Sequence, residues 1–255
     1  MSSYVWTRRQ LLLRGSAALG GLLAGGCDRL SQSPASRHIF DTAGVFNYRV
    51  QRAVIGQSLA REFSEADLSP IFRSNGTSHP RSVAYNSLLS NEFEDWRLVI
   101  GGMVNRPQEL SLAELRRMQT RTQITRHDCV EGWSAIGKWT GVPLATLLNL
   151  AQLAPDARFV VFYCADQLEL NDGGYYESID LIDAFHPQTI LAYELNDRPL
   201  PIANGAPLRL RIERQLGYKH AKYLMRIEAV GRLDKIRGGR GGYWEDRGYQ
   251  WYAGI

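Results

Sequence analysis

Strand-like and helix-like stretches follow one another in this chain without a regular strand–helix–strand beat. That order limits the fold more than any other feature of the sequence. Arg97-Leu98-Val99-Ile100 reads as a strand stopped by Gly101-Gly102. Ser111-Leu112-Ala113-Glu114 has the Ser-x-x-Glu form in which the first and last side chains satisfy each other's free backbone N–H groups, and it opens a helix to about Met118. Pro143 starts another helix over Leu144–Leu153, because a first helical turn needs no N–H from its proline. The apolar run within 157–165 predicts a buried strand. Ile179 to Phe185 reads as a short helix, and Ile190–Leu195, the turn Asn196-Asp197 and Arg198–Pro201 as a hairpin. Leu208–Ile212 alternates apolar and basic, as a half-exposed strand does, and Tyr223–Val230 is a further strand. Phe46, Val50, Val54 and Leu59 suggest a leading helix over 46–63. Mixed elements in this order predict an α+β domain with mixed sheets and not a doubly wound one.

The ends of the chain read differently. Thr7-Arg8-Arg9-Gln10-Leu11-Leu12-Leu13 is a twin-arginine pattern, followed by a short Gly/Ala-rich apolar run from Ala17 to Gly26. A membrane span needs roughly 20 apolar residues, so residues 1–27 are read as a removable signal that exports folded cargo to the bacterial periplasm. Folded cargo of this kind commonly carries a cofactor. Leu22-Leu23-Ala24-Gly25-Gly26-Cys27 makes Cys27 a candidate lipoprotein site that would anchor the chain to the membrane; simple cleavage near this point is the alternative. Residues 28–42, rich in serine, read as a tether. Residues 43–236 are read as one folded domain, and 237–255 as a tail, low-complexity and flexible at its glycines and then aromatic. The aromatic part either packs back on the domain, the commoner outcome, or serves a partner.

The formal charge of +4 is uneven, with eleven Lys/Arg against five Asp/Glu from Pro207 onward. An exported protein rarely meets nucleic acid, so an anionic cofactor, substrate or lipid surface is the better partner. Among the three cysteines, Cys164 lies in the apolar strand and reads as packing. Cys129 is flanked by Arg126, His127, Asp128 and Glu131, and nearby cations favour a thiolate that attacks electrophiles or binds metal. A half-buried structural thiol is the competing reading. No Cys-x-x-Cys and no zinc-spaced His/Cys cluster occurs in the sequence.

Cys129-Val130-Glu131-Gly132-Trp133-Ser134 and Trp139-Thr140-Gly141-Val142-Pro143-Leu144 resemble the molybdenum-ligand segment of the sulfite oxidase superfamily, nearest the catalytic subunits of bacterial periplasmic protein-methionine-sulfoxide reductases. Three further stretches resemble that family in order. They are Phe72-Arg73-Ser74-Asn75-Gly76, Tyr175-Tyr176-Glu177-Ser178-Ile179, and Asn204-Gly205-Ala206-Pro207-Leu208-Arg209 with Gly217-Tyr218-Lys219-His220-Ala221-Lys222. Together they span about residues 70 to 230.

The resemblance implies a sulfite-oxidase-type molybdopterin-binding domain carrying Mo-molybdopterin, with Cys129 as the thiolate on the metal. One soft sulfur from the protein suffices for such a centre. It implies that Tyr175 faces the reacting side of the metal and orients substrate or donates a proton. Arg73, Asn75, Asn204, Arg209, His220 and Lys222 would grip the pterin, with Asp166 a further candidate for the same cavity. Arg209, Lys219 and Lys222 would supply charge for the pterin phosphate. Glu131 is read as bonding within the cysteine loop and His127 as tuning the pocket or, more commonly for a lone histidine, as structural. The implied reaction is oxygen-atom transfer, reduction of S-oxides such as methionine sulfoxide, by a monomeric subunit served by a membrane haem protein or another electron carrier. Oxidation of a small anion, as in a sulfite dehydrogenase, stays open. So do a cofactor-free binding lipoprotein and a cysteine-nucleophile hydrolase.

Overall fold

A computed structural model describes residues 34–168 and 173–255. The twin-arginine signal, Cys27, the first part of the tether and the Asn171-Asp172 pair lie outside the described residues. Helix α1, Pro34–Ile55, covers the second part of the expected tether. It belongs to a unit ending at Gly56, and Gln57–Ile255 form a second, compact unit. Pro34 suits a first turn because its φ is already helical. The leading helix was expected to continue to residue 63, but it stops at Gly56, whose φ of +55° is left-handed. No helix among the described residues is long and apolar enough to cross a membrane.

The compact unit runs α2 (Val83–Ser90), β1 (Arg97–Gly102), β2 (Gln108–Ser111), α3 (Leu112–Arg117), β3 (Arg121–Asp128), β4 (Ser134–Pro143), α4 (Leu144–Ala151), β5 (Phe159–Cys164), β6 (Tyr176–Asp180), α5 (Leu181–Ala184), β7 (Ile190–Leu195), β8 (Arg198–Pro199), β9 (Arg209–Arg211) and β10 (Leu224–Val230). One sheet has the order β2-β1-β10-β5-β6, and the other β3-β4-β7-β8, with β9 also on β7. Only the β1–β10 pair is parallel among the named strands, Val99 lying opposite Arg226. The mixed α+β architecture is thus the expected one.

The capping box forms as read, with Ser111 Oγ accepting from Glu114 N at 3.2 Å and Ser111 N donating to the Glu114 carboxylate at 2.8 Å. β5 lies between β10 and β6 with Val160, Val161 and Phe162 wholly buried, which accounts for its near-continuous apolar run. The main core joins Trp96, Leu98 and Ile100 to Leu147, Phe162 and Ile227. A smaller core under the second sheet gathers Trp139, Ile190, Ala192, Leu195 and Leu200.

Several strands depart from the expectation. Ile179 and Asp180 end strand β6, and only Leu181–Ala184 are helical. β9 is not half-exposed, since Arg209 and Arg211 are both 0 % exposed. Both guanidiniums lie over the Trp139 ring, 5.0 and 4.4 Å from its centroid, and Arg211 is paired at 2.6 Å with buried Glu213. The glycine tail is packed and not loose: Gly241 and Gly242 are buried, and Gly241 O accepts from Ser178 Oγ.

The tail is held by a buried charge cluster. Lys219 Nζ contacts Glu177 of β6 and, at 2.6 Å, Glu245 of the tail, all of them 0–1 % exposed. Burial first, and the Glu245 charge second, push the Glu177 carboxyl well above the usual carboxylate range. Folding therefore takes up a proton that the unfolded chain releases above the ordinary glutamate pKa of about 4.3. The stabilisation is fully present below that value and is lost as pH rises through the raised one. Glu177→Gln, which keeps an oxygen for Lys219, is expected to flatten this fall in urea unfolding from about pH 5 to about pH 9. An unchanged pH slope would place the proton elsewhere.

Candidate active site

Cys129 opens the hairpin turn between β3 and β4. Cys129 N donates to Trp133 O at 2.9 Å and Gly132 N to Cys129 O at 3.1 Å, and the tightness of this turn needs the φ of +85° that Gly132 adopts. Asp128 braces the base of the turn, accepting from Ser134 Oγ at 2.5 Å and Arg126 Nε at 3.0 Å. Glu131 accepts from Trp133 Nε1 at 2.9 Å, so it bonds within the loop as expected.

The cations of this segment do not activate the thiol. Arg126 is turned to Asp128, and His127 is buried with Nδ1 2.9 Å from Arg211 Nη1. Burial, then the Glu131 charge, raise the Cys129 thiol above its ordinary range despite bonds from backbone N–H groups. His127 is held well below the usual histidine range by burial and by Arg211, so it is a neutral ring. The buried thiol is therefore a proton-bearing group that a soft metal would deprotonate, and not a preformed nucleophile.

Cys129 faces a cavity of about 200 Å³. Of the residues singled out in the sequence, Asn75, Asp166, Tyr175, His220 and Lys222 line it with Cys129. Tyr175 is brought in by the strand partner β5–β6, and its hydroxyl donates to Tyr218 O at 2.5 Å. Burial, and then Glu177 and Glu245, raise the Tyr175 phenol far above its ordinary value, so it stays protonated. Lys222 Nζ donates to Asn75 O at 2.6 Å, Ala203 O at 3.1 Å and Thr77 O, which ties the 74–77 loop to the site. Burial and the Arg209 charge push the Lys222 amine down to about 7.

Asn204 and Arg209 lie behind the cavity wall, 7 % and 0 % exposed. Arg209 Nη1 donates to Asn204 O at 2.9 Å. Gly205 joins them to Lys222: at its φ of +113°, a Cβ would meet Lys222 Cβ at 2.9 Å and Arg209 Cβ at 3.2 Å. Arg73 is exposed and stands apart from the cavity. Lys219, expected to offer charge to a phosphate, faces Glu177 and Glu245 instead, because a buried ammonium needs carboxylates. The sequence reading did not place Trp244 and Tyr249 at the site, yet both line the cavity. The density of Trp and Tyr beyond the glycines was their only signal.

This is the fold of a pterin-dependent oxidoreductase. The family described as oxidoreductase molybdopterin binding domain matches residues 86–235. Over 253 residues the chain is 35 % identical to a putative protein-methionine-sulfoxide reductase subunit, YedZ1, of Azospira oryzae, covering 96 % of this chain and 87 % of that protein. It is 36 % identical over 147 residues to the protein-methionine-sulfoxide reductase catalytic subunit MsrP of Xanthomonas axonopodis, and there it spans 54 % of this chain but only 46 % of that protein. The sulfane dehydrogenase SoxCD of Paracoccus pantotrophus shares the fold, with a TM-score of 0.51 at 21 % identity over 57 % of this chain and 40 % of that one. The chain belongs to the molybdopterin-binding oxidoreductase family of the sulfite oxidase superfamily, and its cofactor is Mo-molybdopterin.

The residues suit that cofactor. Arg209 Nε and Asn204 Nδ2 are buried polar nitrogens without a hydrogen-bond partner, and both are donors. Phosphate or pterin carbonyl oxygens are acceptors of the kind they lack. Cys129 supplies the soft sulfur, and no group of three or more His, Cys, Asp or Glu forms a metal site among the described residues.

Proposed function

We propose that this chain reduces S-oxides, methionine sulfoxide among them, at a molybdenum held by Cys129. The observation that carries the reading is a buried thiol at a hairpin tip, open to a cavity that Tyr175 and Lys222 also line. When bound, the cofactor supplies oxygen-atom transfer, with two electrons and two protons turning an S-oxide into a thioether and water. Cys129 would give up its proton to ligate the metal. Asn204, Arg209, His220, Lys222, Asp166 and the Asn75 loop would hold the pterin, through side chain or backbone. Tyr175 keeps its proton and orients the S-oxide oxygen; to donate to it, the hydroxyl leaves Tyr218 O.

A small anion such as sulfite is the poorer substrate. No arginine among the described residues lines the cavity, and the Lys222 ammonium is engaged by carbonyls. Relatives named as methionine-sulfoxide reductases support the same choice. Electrons come from a membrane haem protein or another carrier, because the chain has no haem-attachment Cys-x-x-Cys-His. The twin-arginine pattern supports a periplasmic site of action, and the 22–27 segment supports either anchoring at Cys27 or simple cleavage near it.

Protein matured with its native cofactor machinery is expected to hold one molybdenum per chain and to oxidise a reduced viologen dye with methionine sulfoxide. Sulfite with ferricyanide is expected to give a far lower rate. Holoprotein that turns over sulfite and ignores S-oxides would overturn the reading.

A further inference from the structure

The residues that line the cavity with Cys129 include two from the tail, which lies outside the family domain matched over residues 86–235. Trp244 and Tyr249 line the cavity there. Their rings are 5.3 Å apart at 31°, and Tyr249 meets Tyr218 edge-on at 5.2 Å. Behind them, Tyr243 stacks on Tyr175 at 5.5 Å and meets Trp244 edge-on at 5.3 Å. The rings thus form one connected aromatic face that reaches the proposed orienting phenol.

The face is rigidly mounted. Glu245, next to Trp244, is paired with buried Lys219. Asp246 accepts from Tyr176 Oη at 2.5 Å and from the Gly238 and Arg240 N–H groups at 3.1 and 3.0 Å. Tyr243 N donates to Tyr176 O at 2.9 Å, and Tyr218 Oη to Gln250 O at 2.6 Å. Preorganised rings of this kind lose little freedom on meeting a ligand.

We infer that the tail is the specificity wall of the cavity, with Trp244 and Tyr249 selecting an uncharged S-oxide that carries an apolar side chain. The inference rests on the S-oxide reading above and deepens it. An S-oxide sulfur and its methyl group carry partial positive charge, which suits the electron-rich face of an aromatic ring. Thioether sulfur against a ring is likewise favourable, by about 0.3–1.5 kcal/mol. An anion meets the same ring faces with repulsion. Glu131 adds an acceptor to the lining, which further disfavours an anionic guest.

The test uses holoprotein and two substrates with the same reacting group, a blocked methionine sulfoxide amide and dimethyl sulfoxide. Trp244→Leu is expected to lower kcat/KM for the amide about tenfold, through KM, with kcat and molybdenum content near wild type. The loss for dimethyl sulfoxide, which lacks the side chain, is expected to be much smaller. Trp244→Phe should recover most of the amide's kcat/KM, and Tyr249→Leu, a change at a 41 % exposed rim residue, should shift the ratio in the same direction. Equal losses on both substrates, or none, would overturn the wall. Calorimetric binding of the amide separates the two readings. Wild type that binds the amide but reduces no S-oxide removes the proposed reaction and leaves the wall to stand on a weaker Kd in Trp244→Leu. An unchanged Kd, or no binding by wild type, removes the wall.

Discussion

Cys129→Ser is expected to yield folded protein that lacks molybdenum and reduces no methionine sulfoxide. The thiol's own hydrogen bonds are to Val130 and Glu131, which a serine hydroxyl can also make; the turn is closed by its backbone and by Asp128, Ser134 and Gly132. Serine therefore preserves the turn and replaces only the soft donor. Losing an outer-shell partner typically costs a metal site roughly 10–100-fold, and loss of the single protein ligand should exceed that. Metal analysis beside a urea unfolding curve separates the two effects. A variant that keeps molybdenum and activity would mean that the metal is held without this thiolate.

Lys219→Met has the second large effect, and it falls on stability. Removing the ammonium leaves Glu177 and Glu245 facing each other without a counter-charge, at 0–1 % exposure. Breaking a buried pair in this way costs about 3–5 kcal/mol. The carboxylates escape part of that cost by taking up protons, so the loss is expected to grow with pH. Glu245→Gln should cost much less, because Lys219 keeps Glu177. Urea unfolding at two pH values reads both variants; a Lys219→Met loss of about 1 kcal/mol or less would show that the cluster contributes little. Because Glu245 carries the tail, the variant is also expected to loosen Trp244 and thereby raise KM for methionine sulfoxide.

How much of this was legible beforehand follows from which face of each strand is buried. β5, β7 and β10 were readable because apolar residues face the core there, and the exposed β8 only from the Asn196-Asp197 turn before it. β3 was not, since its inward positions are Gln123, Thr125 and His127, with period two kept and hydrophobicity inverted. β6 buries Glu177, Ser178 and Asp180 for the same reason. Arg209 and Arg211 suggested a solvated edge, and only the fold reveals Trp139 and Glu213 as their partners. Within the site, Cys129 and Tyr175 could be named from local motifs. Lys219 was assigned the wrong duty, and Trp244 none, because both depend on contacts between the tail and β6 or the 217–222 turn that local sequence does not encode.

The parallel pair β1–β10 has a consequence for how the domain assembles. Every strand of the site-bearing sheet, with β5 and β6, lies in the chain between these two. The hairpin β3–β4 can zip from its own turn, whereas Val99 must wait for Arg226. Closing so long a loop adds little entropy beyond that of a medium one, yet distant pairings of this kind mark slow folders. The register that unites the first sheet is therefore the natural last event, and until it sets, β1 and β2 present a two-stranded ribbon with an unpaired edge to whatever chain is nearby.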